Sequence, residues 1–176
     1  MHVDDAIRNR RTNMAVDPSR SVADDTIREL IALAIWAPNH KRTWPWRFAS
    51  LTGDARRRLG ESIADVMAAR GEEPSRVDKA RTKYLRTPNV LIVGSVAGDS
   101  DERTSENRDA VAAAVQNLLL AATARHINTY WGSCPKGAHE AVGRLAGFEP
   151  GTHVVAIVYL GHSAGAAEAP PRPTPS

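Results

Sequence analysis

The sequence has a single cysteine, Cys134, among its 176 residues. That excludes an internal disulfide, and with it the stapled scaffold of a small secreted domain. No run approaches the roughly 20 apolar residues a membrane-crossing helix needs. The opening MHVDDAIRNRR lacks the charged-then-apolar order of a signal peptide. A cytoplasmic protein without membrane contact is therefore expected. No GxGxxG follows a strand candidate and no P-loop pattern occurs, so neither common nucleotide fingerprint applies. The six histidines form no HxxxH or HxH pair, and no metal site is expected. There is no GxSxG elbow, and no histidine stands at a spacing that would make Cys134 a nucleophile; it reads as packing.

What is present is an ordinary globular composition, 42% hydrophobic and 24% charged, on a chain long enough for one real core. The net charge of +3 is spread among interleaved acids and bases, which gives no face for nucleic acid. Nineteen of the 23 basic residues are arginine, the side chain that best grips planar or phosphorylated anions.

Apolar periodicity predicts helices over 3–10, 24–37, 54–70, 75–84, 108–126 and near 137–145. Strands are predicted over 47–52, 89–96, 128–131 and 153–159, the second being the most β-branched. Residues 97–107 are polar and read as a loop. Residues 1–161 are expected to form one domain, and 162–176 a poorly packed tail with four prolines in its last seven residues. Helices outnumber dispersed strands, so the fold class is α+β.

Three segments could carry chemistry. Arg10-Arg11-Thr12 puts two guanidiniums and a hydroxyl within three residues, a grip for phosphate or merely a solvated helix end. Trp36–Trp46 holds three of the four tryptophans with His40, Lys41 and Arg42 between them. Flat π faces beside cations suit a planar anion, although Trp44 and Trp46 could equally plug the helix over 24–37. The alanine-rich helix over 108–126 runs into Asn128–Pro135, a strand leaving into a Gly/Ser/Pro turn. Such a strand end offers backbone N–H and C=O groups to a heteroaromatic edge.

AIRNRRT, APNHKRTWPWRF, DAVAAAVQNLLLAATA with NTYWGS, and VVAIVYLG occur in the order and spacing of the nitroreductase family, which the chain resembles over residues 5–161. The resemblance implies an α+β sandwich around a small, mainly antiparallel sheet, in a homodimer. It implies FMN at the subunit interface, NAD(P)H as hydride donor, and a nitroaromatic, quinone or similar acceptor. No protein side chain is implied as an acid or base in the hydride step; the flavin carries the chemistry.

By the same resemblance, Arg10, Arg11 and Thr12 match the segment holding the FMN phosphate, ribityl chain and pyrimidine edge. Trp36, Asn39 and His40 match the loop reaching the flavin from the other subunit. Trp131, Gly132 and Ser133 match the strand end near the flavin ring. The segment Ala121, Ala122, Thr123, Ala124, Arg125 and His126 matches one implicated in NAD(P)H contact. The chain departs from the family where Trp44 replaces the usual Gln before Pro-Trp. His126 and Asn128 replace the usual glycines, and no basic residue directly follows Gly161. The alternative reading is a non-catalytic flavin or nucleotide sensor on the same fold.

Overall fold

The computed structural model describes residues 1–174; the last two residues of the expected tail lie outside the described residues. Its sheet is built around β2 (Asn89–Ser95), where every residue is buried. A strand covered on both faces needs side chains that shed water in both directions, which explains the unbroken VLIV at its centre. β1 (Trp46–Leu51) and β4 (His153–His162) flank it, and β3 (Ile127–Gly132) pairs with the far side of β4. The order β1-β2-β4-β3 is antiparallel throughout. A bulge between Val93 and Gly94 shifts the β2–β4 register by one residue.

Alternation along the strands divides the core in two. Leu91, Val93 and Val158 face α2 (Asp24–Ala34) and the 24-residue α5 (Asp101–Ala124), meeting Leu30, Val111, Val115 and Leu118. Val90, Ile92 and Ile157 face the other way, toward Leu59 and Ile63 of α3 (Asp54–Ala69) and Val142 of α6 (His139–Leu145). α4 (Pro74–Thr82) adds Val77 and Ala80 to this layer. Each fully buried aliphatic side chain contributes roughly 1.5–3 kcal/mol. On α5, buried Ala114 and Ala122 join the cluster that holds Leu30 and Ala34 of α2, and their small side chains suit the close contact of the two helices. α1 (Val3–Asn9) buries only Ala6.

Three local expectations are corrected. Residues 97–107 are not a loop, because α5 begins at Asp101. The Ser100 hydroxyl caps it by accepting from the Arg103 N–H at 3.1 Å, with Asp101 and Glu102 in the first turn. α2 ends at Ala34 and not Ala37, since the residue before Pro38 is driven out of helical backbone. The last strand runs on past Tyr159 to His162, and hydrogen bonds then tie the chain down as far as Gly165. Ala164 N–H donates to the Ala15 carbonyl at 2.9 Å, and the Gly165 carbonyl accepts from Asn13 Nδ2 at 2.9 Å. Gly161 is required here, because a Cβ would lie 2.7 Å from Val16 Cβ. Among the described residues no helix is long and apolar enough to cross a membrane.

Candidate functional site at the β3 edge

β3 is an edge strand, and its outer side is only partly covered. Thr12 bridges Thr129 in parallel, and Asn13 N–H donates to the Thr129 carbonyl at 3.0 Å. This fixes Arg10, Arg11 and Thr12 along the free edge of the sheet. Since backbone groups of alternate residues point the same way, the N–H and C=O of Trp131 also face outward, beyond the end of that bridge. An unpaired strand edge of this kind is a ready hydrogen-bonding surface.

Where the chain leaves β3, a cleft of about 440 Å³ is lined by Tyr130, Gly132, Ser133, Tyr159, Met14, Lys83 and Arg86. Its aromatic wall is a ladder. Tyr130 meets Tyr159 edge-on at 5.4 Å, and Tyr159 stacks on buried Tyr84 at 5.8 Å with the rings 3° from parallel. Gly132 packs closely on this wall: an added Cβ would lie 3.2 Å from Tyr159 Cε2 and 3.3 Å from Tyr130 Cε1. Lys83 Nζ sits 5.0 Å from the Tyr84 ring centroid. Burial, then the neighbouring Arg86 charge, push the Lys83 pKa below its usual range. Burial likewise raises the Cys134 thiol to about 12, which leaves it protonated and inert as a nucleophile at neutral pH.

A second, smaller cavity of about 250 Å³ lies along the same edge, and Arg11, Asn13, Thr123, His126, Asn128 and Ser163 contribute to it. Arg11 Nη1 donates to the Arg10 carbonyl at 2.7 Å, which folds its guanidinium back on the chain. Asn128 Nδ2 donates to the Ala15 carbonyl at 2.7 Å. His126, with φ of 56°, takes the left-handed turn between α5 and β3, while Asn128 is already in the strand.

Of the segment 121–126, therefore, Thr123 and His126 join Arg11 at one cavity. Ala122 is wholly buried in the core, and Arg125 Nη2 reaches Glu29 at 3.4 Å.

Trp36, Asn39 and His40 lie elsewhere, in the connection between α2 and β1, which forms the opposite edge of the sheet. Trp36 is 84% exposed. Asn39 organises its own loop: Oδ1 accepts from the Trp44 N–H at 2.9 Å, and Nδ2 donates to Thr43 Oγ1 at 3.0 Å. Thr43 Oγ1 in turn donates to Asn107 Oδ1 at 2.6 Å. These bonds hold Lys41, Arg42 and Trp44 at positive φ, a conformation side chains adopt at a cost. His40 Nδ1 lies 2.8 Å from Glu106, and this bond holds the Glu106 carboxyl below its usual pKa. Trp46 packs against the α2–α5 core, whereas Trp44 stays 58% exposed, so only one of the two plugs the helix.

Lys83, Arg86, Tyr130 and Tyr159 were not singled out by sequence. Lys83 and Arg86 follow an unremarkable polar helix, and nothing local links them to Gly132.

The fold is similar to that of a nitroreductase-like family protein from Bacillus cereus, with a TM-score of 0.85 and 24% identity over 99% of this chain and 92% of that one. A nitroreductase from Bacteroides fragilis, crystallised with bound FMN, gives a TM-score of 0.76 at 20% identity, covering 100% and 96%. YdjA of Escherichia coli strain K12, whose name includes the words NAD(P)H nitroreductase, is 24% identical over 88% of this chain and 84% of its own. The model of the nitroreductase family matches residues 7–162, and this chain belongs to that family.

Proposed function

We propose that the protein is an FMN-dependent oxidoreductase that takes hydride equivalents from NAD(P)H and delivers them to a nitroaromatic, quinone or similar acceptor. The observation that carries this reading is the conjunction at the β3 edge. An aromatic cleft lined by Gly132, two cations on its wall and an arginine-bearing segment pinned at Thr129 all stand at one edge of the sheet.

These residues fit FMN. The cleft of about 440 Å³ beside the Tyr130–Tyr159 wall has room for a planar ring. The outward N–H and C=O of Trp131 suit the alternating donors and acceptors of a pyrimidine edge. Lys83 and Arg86, which pair with no acid among the described residues, favour negative charge on whatever occupies the cleft. Arg10, Arg11 and Thr12 would hold the phosphate end, aided by Asn13, Asn128 and Ser163. FMN when bound supplies the two-electron redox chemistry. The protein's own part is to hold two planar rings in register, exclude water from one face and set the local charge.

Within one chain the Trp36–His40 loop is remote from this edge, and two copies of the chain bring each loop to the other's cleft. Exposed Trp36, Leu33 and Ile35 provide apolar surface for that association.

The test is direct. Purified protein is expected to be yellow, to release FMN on denaturation, and to oxidise NADH or NADPH when a quinone or nitrofuran is added. Colourless protein that takes up no added FMN overturns the reading, and FMN binding without turnover would make the protein a flavin sensor.

A further inference from the structure

Lys83 also lines a neighbouring cavity of about 410 Å³. Its floor is apolar, formed by Met67, Ala80 and Pro135, and its rim carries Lys79, Lys136 and an Arg76–Glu72 pair at 3.0 Å. Arg70 stands near the turn that carries Lys136. A Cβ built on Gly137 would lie 3.0 Å from both Cδ and Nη1 of Arg70, which places that guanidinium against the Lys136–Gly137 turn.

The charges here are unbalanced. Among the described residues Arg70, Lys79, Lys83, Arg86 and Lys136 make no ion pair, although eight other arginines pair with an acid. Lys79 and Arg86 are close enough to Lys83 to disfavour its proton, so the group repels itself. Like charges gathered without counter-charges form a positive field that draws an anion, and the apolar floor adds a surface for a flat base.

We propose that this cavity receives the adenosine end of the donor, with Lys79 and Lys136 gripping a 2′-phosphate, and that NADPH is therefore preferred to NADH. The inference rests on the function proposed above. Pyrophosphate is common to both donors and cannot distinguish them. The 2′-phosphate belongs to NADPH alone and adds a charge of about −1.5 to −2 at neutral pH. Lys83 lines both cavities, so the cleft and the adenosine subsite adjoin.

The experiment compares the parent with Lys79→Ala and Lys136→Ala, each loaded with FMN, in two ways. Steady-state kinetics give kcat/KM for NADPH and NADH. Calorimetry gives the affinity for 2′,5′-ADP against 5′-ADP, two probes that share everything but the position tested and need no turnover. The parent is expected to favour NADPH in kcat/KM by about 10-fold or more, as one charge-assisted phosphate grip allows. Each substitution is expected to lower the NADPH/NADH ratio by about 5-fold or more and to weaken 2′,5′-ADP, with the loss restored in Lys136→Arg. A parent indifferent between donors, or one whose preference survives both substitutions, overturns the proposal. Should neither donor be oxidised, the general reading of function fails instead, and equal binding of the two ADP probes would then overturn this subsite by itself.

Discussion

Thr12 stands beside Thr129 in a parallel bridge, and the Asn13 N–H reaches the Thr129 carbonyl at 3.0 Å. One pair of threonines thus ties the arginine-bearing segment to the strand whose far end forms the cleft. The guanidiniums themselves take little part in folding: Arg10 donates no side-chain hydrogen bond among the described residues, and Arg11 donates only to the Arg10 carbonyl. Arg10→Ala and Arg11→Ala are therefore expected to raise the FMN dissociation constant by about 10- to 100-fold, the usual effect of losing a hydrogen bond to a charged group. Thermal midpoints should move by no more than a degree or two, because half-exposed sites without buried partners contribute little to stability. Fluorescence titration with FMN and a melting curve separate the two effects. Equal FMN affinity in parent and variant would remove the arginines from the site.

Gly132 tests the aromatic wall. An added methyl would sit 3.2 Å from both the Ile157 carbonyl and Tyr159 Cε2, closer than ordinary packing. Gly132→Ala is expected to cost about 1 kcal/mol, and Gly132→Val about 2–3 kcal/mol, as overpacked sites do. Flavin uptake should fall in the same order, and faster than stability, since two of the crowded groups, Tyr130 and Tyr159, line the cleft. Urea melts beside the flavin content of the purified variants supply the comparison. Full flavin content in Gly132→Val would show that no ring lies against this residue.

How far the sequence could be read differs between the scaffold and the site. β2 was legible because burial on both faces leaves no alternative to a continuous β-branched run. The start of α5 was not, because its first turns are polar for a good reason: Asp101, Glu102 and Ser105 face solvent, and only Asn107 turns inward. Ser100 followed by two acids was a cap signal that polarity masked. At the site, Arg10–Thr12 and Trp131–Ser133 could be named from the segments in which they stand. Their contact at Thr129 could not, because one residue at the edge of a sheet sets it and no periodicity points there. Lys83 and Arg86 reach the cleft only because a short 3-10 turn places them under β4, and that placement is a property of the assembled core.

Asn39 is expected to act as the organiser of the loop between α2 and β1. Its carboxamide oxygen accepts from the Trp44 N–H at 2.9 Å and its nitrogen donates to Thr43 at 3.0 Å, across three residues held at positive φ. Asn39→Ala removes both bonds and should destabilise the chain by about 1–2 kcal/mol while opening the loop to protease. Asn39→Asp keeps the acceptor for Trp44 and should recover part of the loss. Limited trypsin digestion reads this out, because Lys41 and Arg42 lie inside the loop. Unchanged cleavage in Asn39→Ala would leave the loop's shape to other contacts.

The acid limit of stability is expected to involve His139 and His153, whose rings stack at 4.3 Å between centroids. Burial pushes both pKa values below the usual 6.5, and for His153 the neighbouring His139 lowers it further; Arg108 acts on both. In the unfolded chain each ring binds its proton as pH falls through about 6.5, whereas the folded protein resists. The unfolded state then holds more protons, so stability contributed by the pair is complete above that pH and declines below it. His153→Gln removes one titrating ring and the repulsion between the two, so its melting temperature should fall less than the parent's between about pH 7.5 and pH 5. Parallel curves for parent and variant would assign the acid sensitivity to other groups.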